Sequence, residues 1–152
     1  LNDLVHKALK SNSQALIPCK PEIETNGLNQ TVFADPKWLD FILNQILSNS
    51  IKYRQGSLKL CFTAFEKGNS IFLEIADNGI GIPKQDINRV FEKGFTGENG
   101  RKFAKSTGIG LYLCNTLCQK MNLKLSIREN TAGGTVVSLC FPKDRSHIFF
   151  AD

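Results

Sequence analysis

Clustered metal ligands, paired cysteines and membrane-length apolar runs are all missing from this sequence. Its 152 residues include two histidines, His6 and His147, and five cysteines with no CxxC pair. A zinc ribbon needs such ligands close together and a complete disulfide framework needs an even number of cysteines. Neither is expected, and reduced intracellular thiols are. Cys114 and Cys118 sit four residues apart in a helical pattern and read as small core residues. The longest uncharged, apolar-rich stretch, Phe41 to Ile51, is interrupted by Asn44, Gln45, Ser48, Asn49 and Ser50. It cannot span a bilayer, and no signal peptide is visible. Basic residues form no long run. The nearest is Arg101-Lys102-Phe103-Ala104-Lys105, with no extended aromatic-basic interleaving, so no nucleic-acid partner is expected.

What is present is an ordinary globular balance, 41% hydrophobic and 22% charged, in a length that suits one domain and not two. The net charge of +5 (19 basic against 14 acidic residues) fits acidic partners such as nucleotides and phosphates, or simply a solvated surface. Apolar spacing predicts a helix over Leu1–Lys10. Alternation predicts a strand within Pro18–Asn26, and after a turn marked by Gly27 and Asn29 a second short strand is expected over Thr31–Ala34. Asp35-Pro36 is a helix start, with Asp as N-cap and Pro at the first helical position, and the helix runs to about Tyr53. Strands follow at Ser57–Phe65 and Ser70–Ala76 around a turn at Glu66–Asn69. A short helix is expected over Gln85–Phe91, another over Gly108–Met121, then strands Leu123–Arg128 and Thr135–Phe141 around Ala132-Gly133-Gly134. Between the helices, Gly94–Thr107 is glycine-rich and poor in apolar periodicity and reads as a mobile loop. This order predicts an α+β protein, an α/β sandwich whose mixed sheet carries helices on one face.

Three segments carry candidate chemistry. In the helix from Pro36, Leu39, Ile42, Leu43 and Ile46 share one arc at ~100° per residue. Gln45, Asn49, Lys52 and Tyr53 share a neighbouring polar arc. An amide oxygen can ligate Mg²⁺, a lysine can meet a phosphate and a tyrosine can stack on a base; alternatively the stripe is a solvated flank. In Asp77-Asn78-Gly79-Ile80-Gly81-Ile82-Pro83, a carboxylate at a strand end could accept from an exocyclic amino group, or the segment is an ordinary strand-to-helix turn. Thr107-Gly108-Ile109-Gly110-Leu111 opens a helix whose N-terminal amides suit an anion, or it is only a glycine-rich helix start. It is neither a Walker loop nor a Rossmann fingerprint.

Together and in this order, these segments resemble the boxes of the Bergerat-fold ATP-binding domain shared by gyrase, the ninety-kilodalton heat-shock chaperone, histidine kinases and MutL. The likeness runs from about Pro18 to Pro142. The N box resembles Gln45–Tyr53, the G1 box Asp77–Pro83, the F box Phe91-Glu92-Lys93-Gly94-Phe95, the G2 box Thr107–Leu111 and the last box Gly133-Gly134-Thr135. The chain is most similar to the catalytic domains of bacterial sensor histidine kinases, and among them to the intramembrane-sensing, antibiotic-response kinases of Gram-positive bacteria. The resemblance implies a mostly antiparallel mixed sheet with about three helices on one face. It implies a linker helix over 1–13, an ATP-binding domain over 14–145 with a lid near 94–107, and a tail over 146–152. It implies Mg²⁺ and ATP as cofactors. Asn49 would ligate the metal, Lys52 would meet phosphate and Tyr53 would lie along adenine or ribose. Asp77 would bind the adenine amino group with Thr135 beside it. Gly79, Gly81 and Ile82 would admit the base, and Gly108, Ile109, Gly110 and Leu111 with Thr107 would wrap the phosphates. Phe91 and Phe95 would hinge the lid, although their spacing departs by one residue from the commoner F-x-x-F. Arg101, Lys102 or Lys105 would reach the γ-phosphate, so that Asn49, Lys52 and Arg101 make up the catalytic set.

In the family's hydrolases a glutamate four residues before the asparagine activates water. Here that residue is Gln45, and an amide has no useful basicity near pH 7. The resemblance therefore points to γ-phosphate transfer to a histidine in two-component signalling. An anti-sigma-type serine kinase or a nucleotide-binding module without transfer is the alternative. Kinase acceptors are histidines followed by an acidic residue, whereas His6 precedes Lys7 and His147 precedes Ile148. The expected acceptor thus lies on dimerisation helices preceding Leu1 in the same polypeptide. A response-regulator receiver domain is the expected next partner. The fragment itself is expected to be soluble and monomeric, a cytoplasmic domain of a cell-membrane homodimer.

Overall fold

The computed structural model describes residues 1–97 and 108–143. Helix α1 spans Asn2–Ser11, α2 Ser13–Leu16, and a 3-10 turn covers Ile17–Cys19. Strand β1 is Glu22–Asn26, helix α3 Pro36–Lys52, β2 Lys59–Lys67 and β3 Ser70–Asp77. The short α4 is Lys84–Ile87, α5 is Gly110–Lys120, and β4 and β5 are Lys124–Glu129 and Thr135–Pro142. One five-stranded sheet has the order β1-β2-β3-β5-β4, with β1 parallel to β2 and every other pair antiparallel. The α+β class and mixed, mostly antiparallel sheet read from the sequence are those of the molecule.

Alternation along the strands decides which face is buried. Leu60, Phe62 and Ala64 of β2 pair across to Asp77, Ile75 and Leu73 of β3, and Leu73 pairs with Leu139 of β5. These apolar residues turn to one side, where Leu39, Ile42, Leu43, Ile46 and Leu47 of α3 meet them in one core with Val5 and Ala8 of α1 and Cys114 and Cys118 of α5. A fully buried side chain such as Phe62 stabilises the fold by about 1.5–3 kcal/mol through removal of apolar surface from water. The opposite face is mixed and mostly half-exposed, with Val136 and Ser138 buried, and carries the Arg128–Glu74 ion pair and stacked Phe65 and Phe72 rings 5.2 Å apart.

Helix α3 begins as its sequence requires. Asp35 Oδ1 accepts from the backbone N–H of Lys37 at 2.8 Å and of Trp38 at 3.4 Å, and Pro36 has no N–H to leave unpaired. Helix α1 is tied to α3 by apolar packing, by Lys7–Asp40 at 3.0 Å and by Asn12 Nδ2 donating to Asn44 Oδ1 at 2.9 Å. His6 is exposed on α1.

Two expectations need correcting. Thr31–Ala34 forms no strand. Its Val32 and Ala34 pack against the core from an irregular segment that pairs with none of the five strands. β-propensity measured only the fit of these side chains to a half-buried surface. The helix expected over Gln85–Phe91 shortens to α4, and consecutive turns closed by Arg89 N–H to Asp86 O and Glu92 N–H to Arg89 O carry the chain on.

The core cysteines support a chemical prediction. Burial pushes the Cys114 and Cys118 thiols up from 9.0 to about 12. At pH 8 only about one in 10⁴ of such a thiol is thiolate, the reactive form. Iodoacetamide on the folded protein is expected to label the half-buried Cys19, Cys61 and Cys140 and to spare Cys114 and Cys118 until denaturant is added, as peptide mapping would show. The same shift gives stability a direction with pH. Below about pH 9 both thiols are protonated whether the chain is folded or not; between 9 and 12 only the unfolded chain ionises them, so stability falls as pH rises.

Candidate functional site

The polar stripe of α3 and the loop after β3 face each other across a cleft of about 280 Å³. Gln45, Asn49, Lys52 and Tyr53 form one wall, each half-buried. The stripe sits one helical step round from the core face, so the packing that buries Ile42 and Ile46 necessarily aims it at the cleft. The Lys52 ammonium lies 5.2 Å from the centre of the Tyr53 ring, which holds the charge over an aromatic face at the cleft edge.

Asp77, the last residue of β3, is heavily bonded within the cleft. Its Oδ1 accepts from Gly79 N–H at 3.0 Å and from Thr135 N–H at 3.1 Å. Its Oδ2 accepts from the Ser50 hydroxyl at 3.0 Å, and its main-chain oxygen accepts from Asn130 Nδ2 at 3.0 Å. One carboxylate thus ties α3, its own loop and the start of β5 together. Asn78 points the other way. Its Oδ1 accepts from Lys59 N–H and its Nδ2 donates to Ser57 O, both at 2.8 Å, which anchors the loop to the start of β2. Ile80 N–H donates to Tyr53 O at 3.0 Å and stitches the loop to the end of α3. A Cβ on Gly79 would lie 2.7 Å from that same Tyr53 oxygen, so this junction closes only around a bare α-carbon.

Gly108, Gly110 and Leu111 at the start of α5 form the opposite wall, with Pro83, Val90 and Phe95 beside them. Gly94 N–H donates to Gly108 O at 3.0 Å, and Gly110 approaches the Gln45 amide so closely that a Cβ there would stand 2.5 Å from Gln45 Oε1. Ile127 and Val137 supply an apolar floor, and Thr135 completes the edge beside Asp77. A partly apolar cleft lined by the Asp77 carboxylate suits a planar ring that carries a hydrogen-bond donor. The N-terminus of an eleven-residue helix suits an anion at the far end.

Of the residues named from sequence, Asn49, Lys52, Tyr53, Asp77, Gly79, Gly81, Ile82, Phe95, Gly108, Gly110, Leu111 and Thr135 line this one cleft. Phe91 packs instead against the hydrophobic core, and Ile109 caps α5 without lining the cleft. Arg101, Lys102, Lys105 and Thr107, most of the 94–107 lid and the 146–152 tail lie outside the described residues. Two contributors escaped the sequence reading. Ser50 reads as a small member of the apolar stripe, and its bond to Asp77 crosses 27 residues. Gly134 was named in the last box with no role of its own, yet its backbone presses against Asp77. Among the described residues no group of three or more histidine, cysteine or acidic side chains could hold a metal by itself. The donor set suits instead a hard cation held by the Asn49 amide oxygen together with ligand oxygens and water. No helix among the described residues is long and apolar enough to cross a membrane.

A family model described as histidine kinase-, DNA gyrase B-, and HSP90-like ATPase matches residues 34–145. The chain belongs to this family. It is a catalytic ATP-binding domain, and the cleft lies within the matched residues. The chain is 36% identical over 143 residues to the sensor histidine kinase YxdK of Bacillus subtilis (strain 168), covering 93% of this chain and 44% of that protein. It is 38% identical over 122 residues to the sensor histidine kinase GraS of Staphylococcus haemolyticus (strain JCSC1435), covering 80% of this chain and 34% of that protein. Both are kinases of Gram-positive bacteria, the group to which the sequence resemblance pointed, and the chain spans less than half of either. Its fold is similar to that of the catalytic domain of histidine kinase ThkA in a nucleotide-free form, with a TM-score of 0.80, 19% identity and coverage of 94% and 92% of the two chains.

Proposed function

We propose that this chain is the catalytic domain of a sensor histidine kinase, binding Mg²⁺-ATP and passing the γ-phosphate to a histidine on dimerisation helices of the same polypeptide. The observation that carries the reading is Gln45. It lines the cleft one turn before Asn49 and beside Gly110, where a hydrolase of this family needs a base. An amide accepts and donates hydrogen bonds but takes no proton from water near pH 7. Transfer to a positioned imidazole needs alignment and charge neutralisation more than a base.

In this reading the base enters between Gly79, Gly81 and the Ile127–Val137 floor, with its amino group on Asp77. Tyr53 lies along the base or ribose, Lys52 meets the phosphates and the α5 amides around Gly108 and Gly110 receive them. Asn49 would hold Mg²⁺, which when bound would neutralise phosphate charge. Arg101, Lys102 or Lys105 supplies the remaining positive charge. The next partner is a response-regulator receiver domain, and the whole protein is a membrane-anchored dimer with this domain in the cytoplasm.

The isolated chain is expected to bind ATP, to hydrolyse it very slowly and to leave itself unlabelled by radioactive ATP. Adding dimerisation helices from its own polypeptide should produce acid-labile phosphohistidine on them. Acid-stable label on a partner serine, or rapid phosphate release by the domain alone, contradicts the reading. Replacing Asn49 with Ala should weaken Mg²⁺-ATP binding about tenfold or more by loss of a metal ligand. It should also abolish the wild-type loss of affinity on chelating Mg²⁺. Asn49 lies on the cleft wall outside the core, so the thermal midpoint should stay in place; calorimetry with and without chelator reads both effects.

A further inference from the structure

Ser50 is one of two buried polar residues in the described chain, 4% exposed, and it lies on the apolar stripe of α3 that runs Leu43, Ile46, Leu47, Ser50. A hydroxyl in a core stripe is costly unless it is bonded. Helical serines usually satisfy themselves on the carbonyl one turn back. This one instead donates across to Asp77 Oδ2 at 3.0 Å, and it lines the cleft.

The distribution of donors on Asp77 makes this bond informative. Oδ1 already receives two backbone N–H groups, from Gly79 and Thr135, which use both of its lone pairs. A ligand donor must therefore come to Oδ2, the oxygen that Ser50 holds. Ser50 spends its only hydrogen on Oδ2, and the hydroxyl oxygen keeps lone pairs beside it. Two acceptors 3.0 Å apart thus belong to residues that both line the cleft, and an exocyclic amino group carries two N–H donors. A ring carbonyl at that position would bring two lone pairs to two acceptors.

Resting on the adenine-nucleotide reading of the cleft, we propose that Ser50 is a specificity-determining residue, which with Asp77 forms a paired acceptor selecting an exocyclic amino group on the purine. It orients Oδ2 toward the ligand and adds the second acceptor.

The test compares ATP with purine riboside triphosphate, which lacks the amino group, on the intact chain by calorimetry. The wild type should prefer ATP. Ser50→Ala should lose about 5- to 10-fold in ATP affinity, as expected for one hydrogen bond to a neutral hydroxyl oxygen, with purine riboside triphosphate unchanged within about twofold. Ser50→Thr, which keeps the hydroxyl, should restore the ATP preference. Should the alanine variant not fold, Ser50→Cys, of similar size and with a weak donor, carries the same comparison and should lose the preference as alanine would. Equal weakening of both nucleotides, or an unchanged preference, overturns the role of Ser50 while the adenine reading stands. A wild type that binds both nucleotides equally overturns the adenine reading itself, and the Ser50 role with it.

Discussion

Asp77→Asn is expected to turn the cleft away from ATP and toward ITP. Asparagine keeps the shape of aspartate. Its Oδ1 can still accept from Gly79 and Thr135 N–H, and Ser50 can turn its hydroxyl to accept where it now donates. The fold should therefore survive, which Asp77→Ala would not guarantee, because alanine strands three donors at about 1–3 kcal/mol each. The ligand-facing atom, however, changes from an acceptor to an N–H donor. Against the adenine amino group it places donor on donor, and against the carbonyl of inosine it makes a bond. An ATP affinity reduced by about 10- to 100-fold, with ITP weakened far less or gained, is expected from losing a charge-assisted bond and leaving a polar pair mismatched. Calorimetry of both nucleotides on wild type and variant reads the change. Parallel weakening of the two would place the base elsewhere in the cleft.

Gly134→Ala carries the largest expected cost in stability, and Gly133→Ala is its control. Both glycines hold left-handed backbone, at φ +96° for Gly133 and +93° for Gly134. Any other residue pays about 1 kcal/mol or more for that conformation. Around Gly133 a Cβ would meet nothing within 4 Å, so strain is its whole cost. At Gly134 the Cβ would be driven into the Asp77 carbonyl group, strand backbone that cannot swing aside, and would stand 2.7 Å from the Asp77 side-chain Oδ1. A total near 3 kcal/mol is expected, lowering the thermal midpoint by roughly 6–12 °C in a domain of this size. Gly133→Ala should lower it by roughly 2–4 °C. Because the displaced group is the ligand-facing carboxylate, Gly134→Ala should also weaken ATP binding and Gly133→Ala should not. Equal midpoints for the two variants would mean that the turn yields and Asp77 is not held by it.

How much of this was legible beforehand follows from the range of each interaction. Period-two alternation marked β2 and β3, and the 3.6-residue period marked α3, because burial against one face imposes those repeats locally. Asp35-Pro36 announced the helix start through contacts two and three residues away. The stripe of Gln45, Asn49, Lys52 and Tyr53 needed only helical geometry and a known core arc. Thr31–Ala34 failed for the complementary reason. Its β-branched and aromatic residues suit a half-buried surface, but whether a strand forms depends on pairing with another strand, and this stretch packs Val32 and Ala34 on the core without joining the sheet.

The amino-acid order alone therefore determined the elements that bury one face, the polar flank that must lie beside that face, and the presence of an amide and not a carboxylate at position 45. Only the tertiary structure decided what those groups meet. It carried Ser50 to Asp77 across 27 residues, Thr135 N–H to the same carboxylate across 58, and the Gly134 backbone against the Asp77 carbonyl. Those contacts arise from pairing β5 beside β3 with α3 packed behind them, and no local repeat in the chain encodes a distance that spans the sheet.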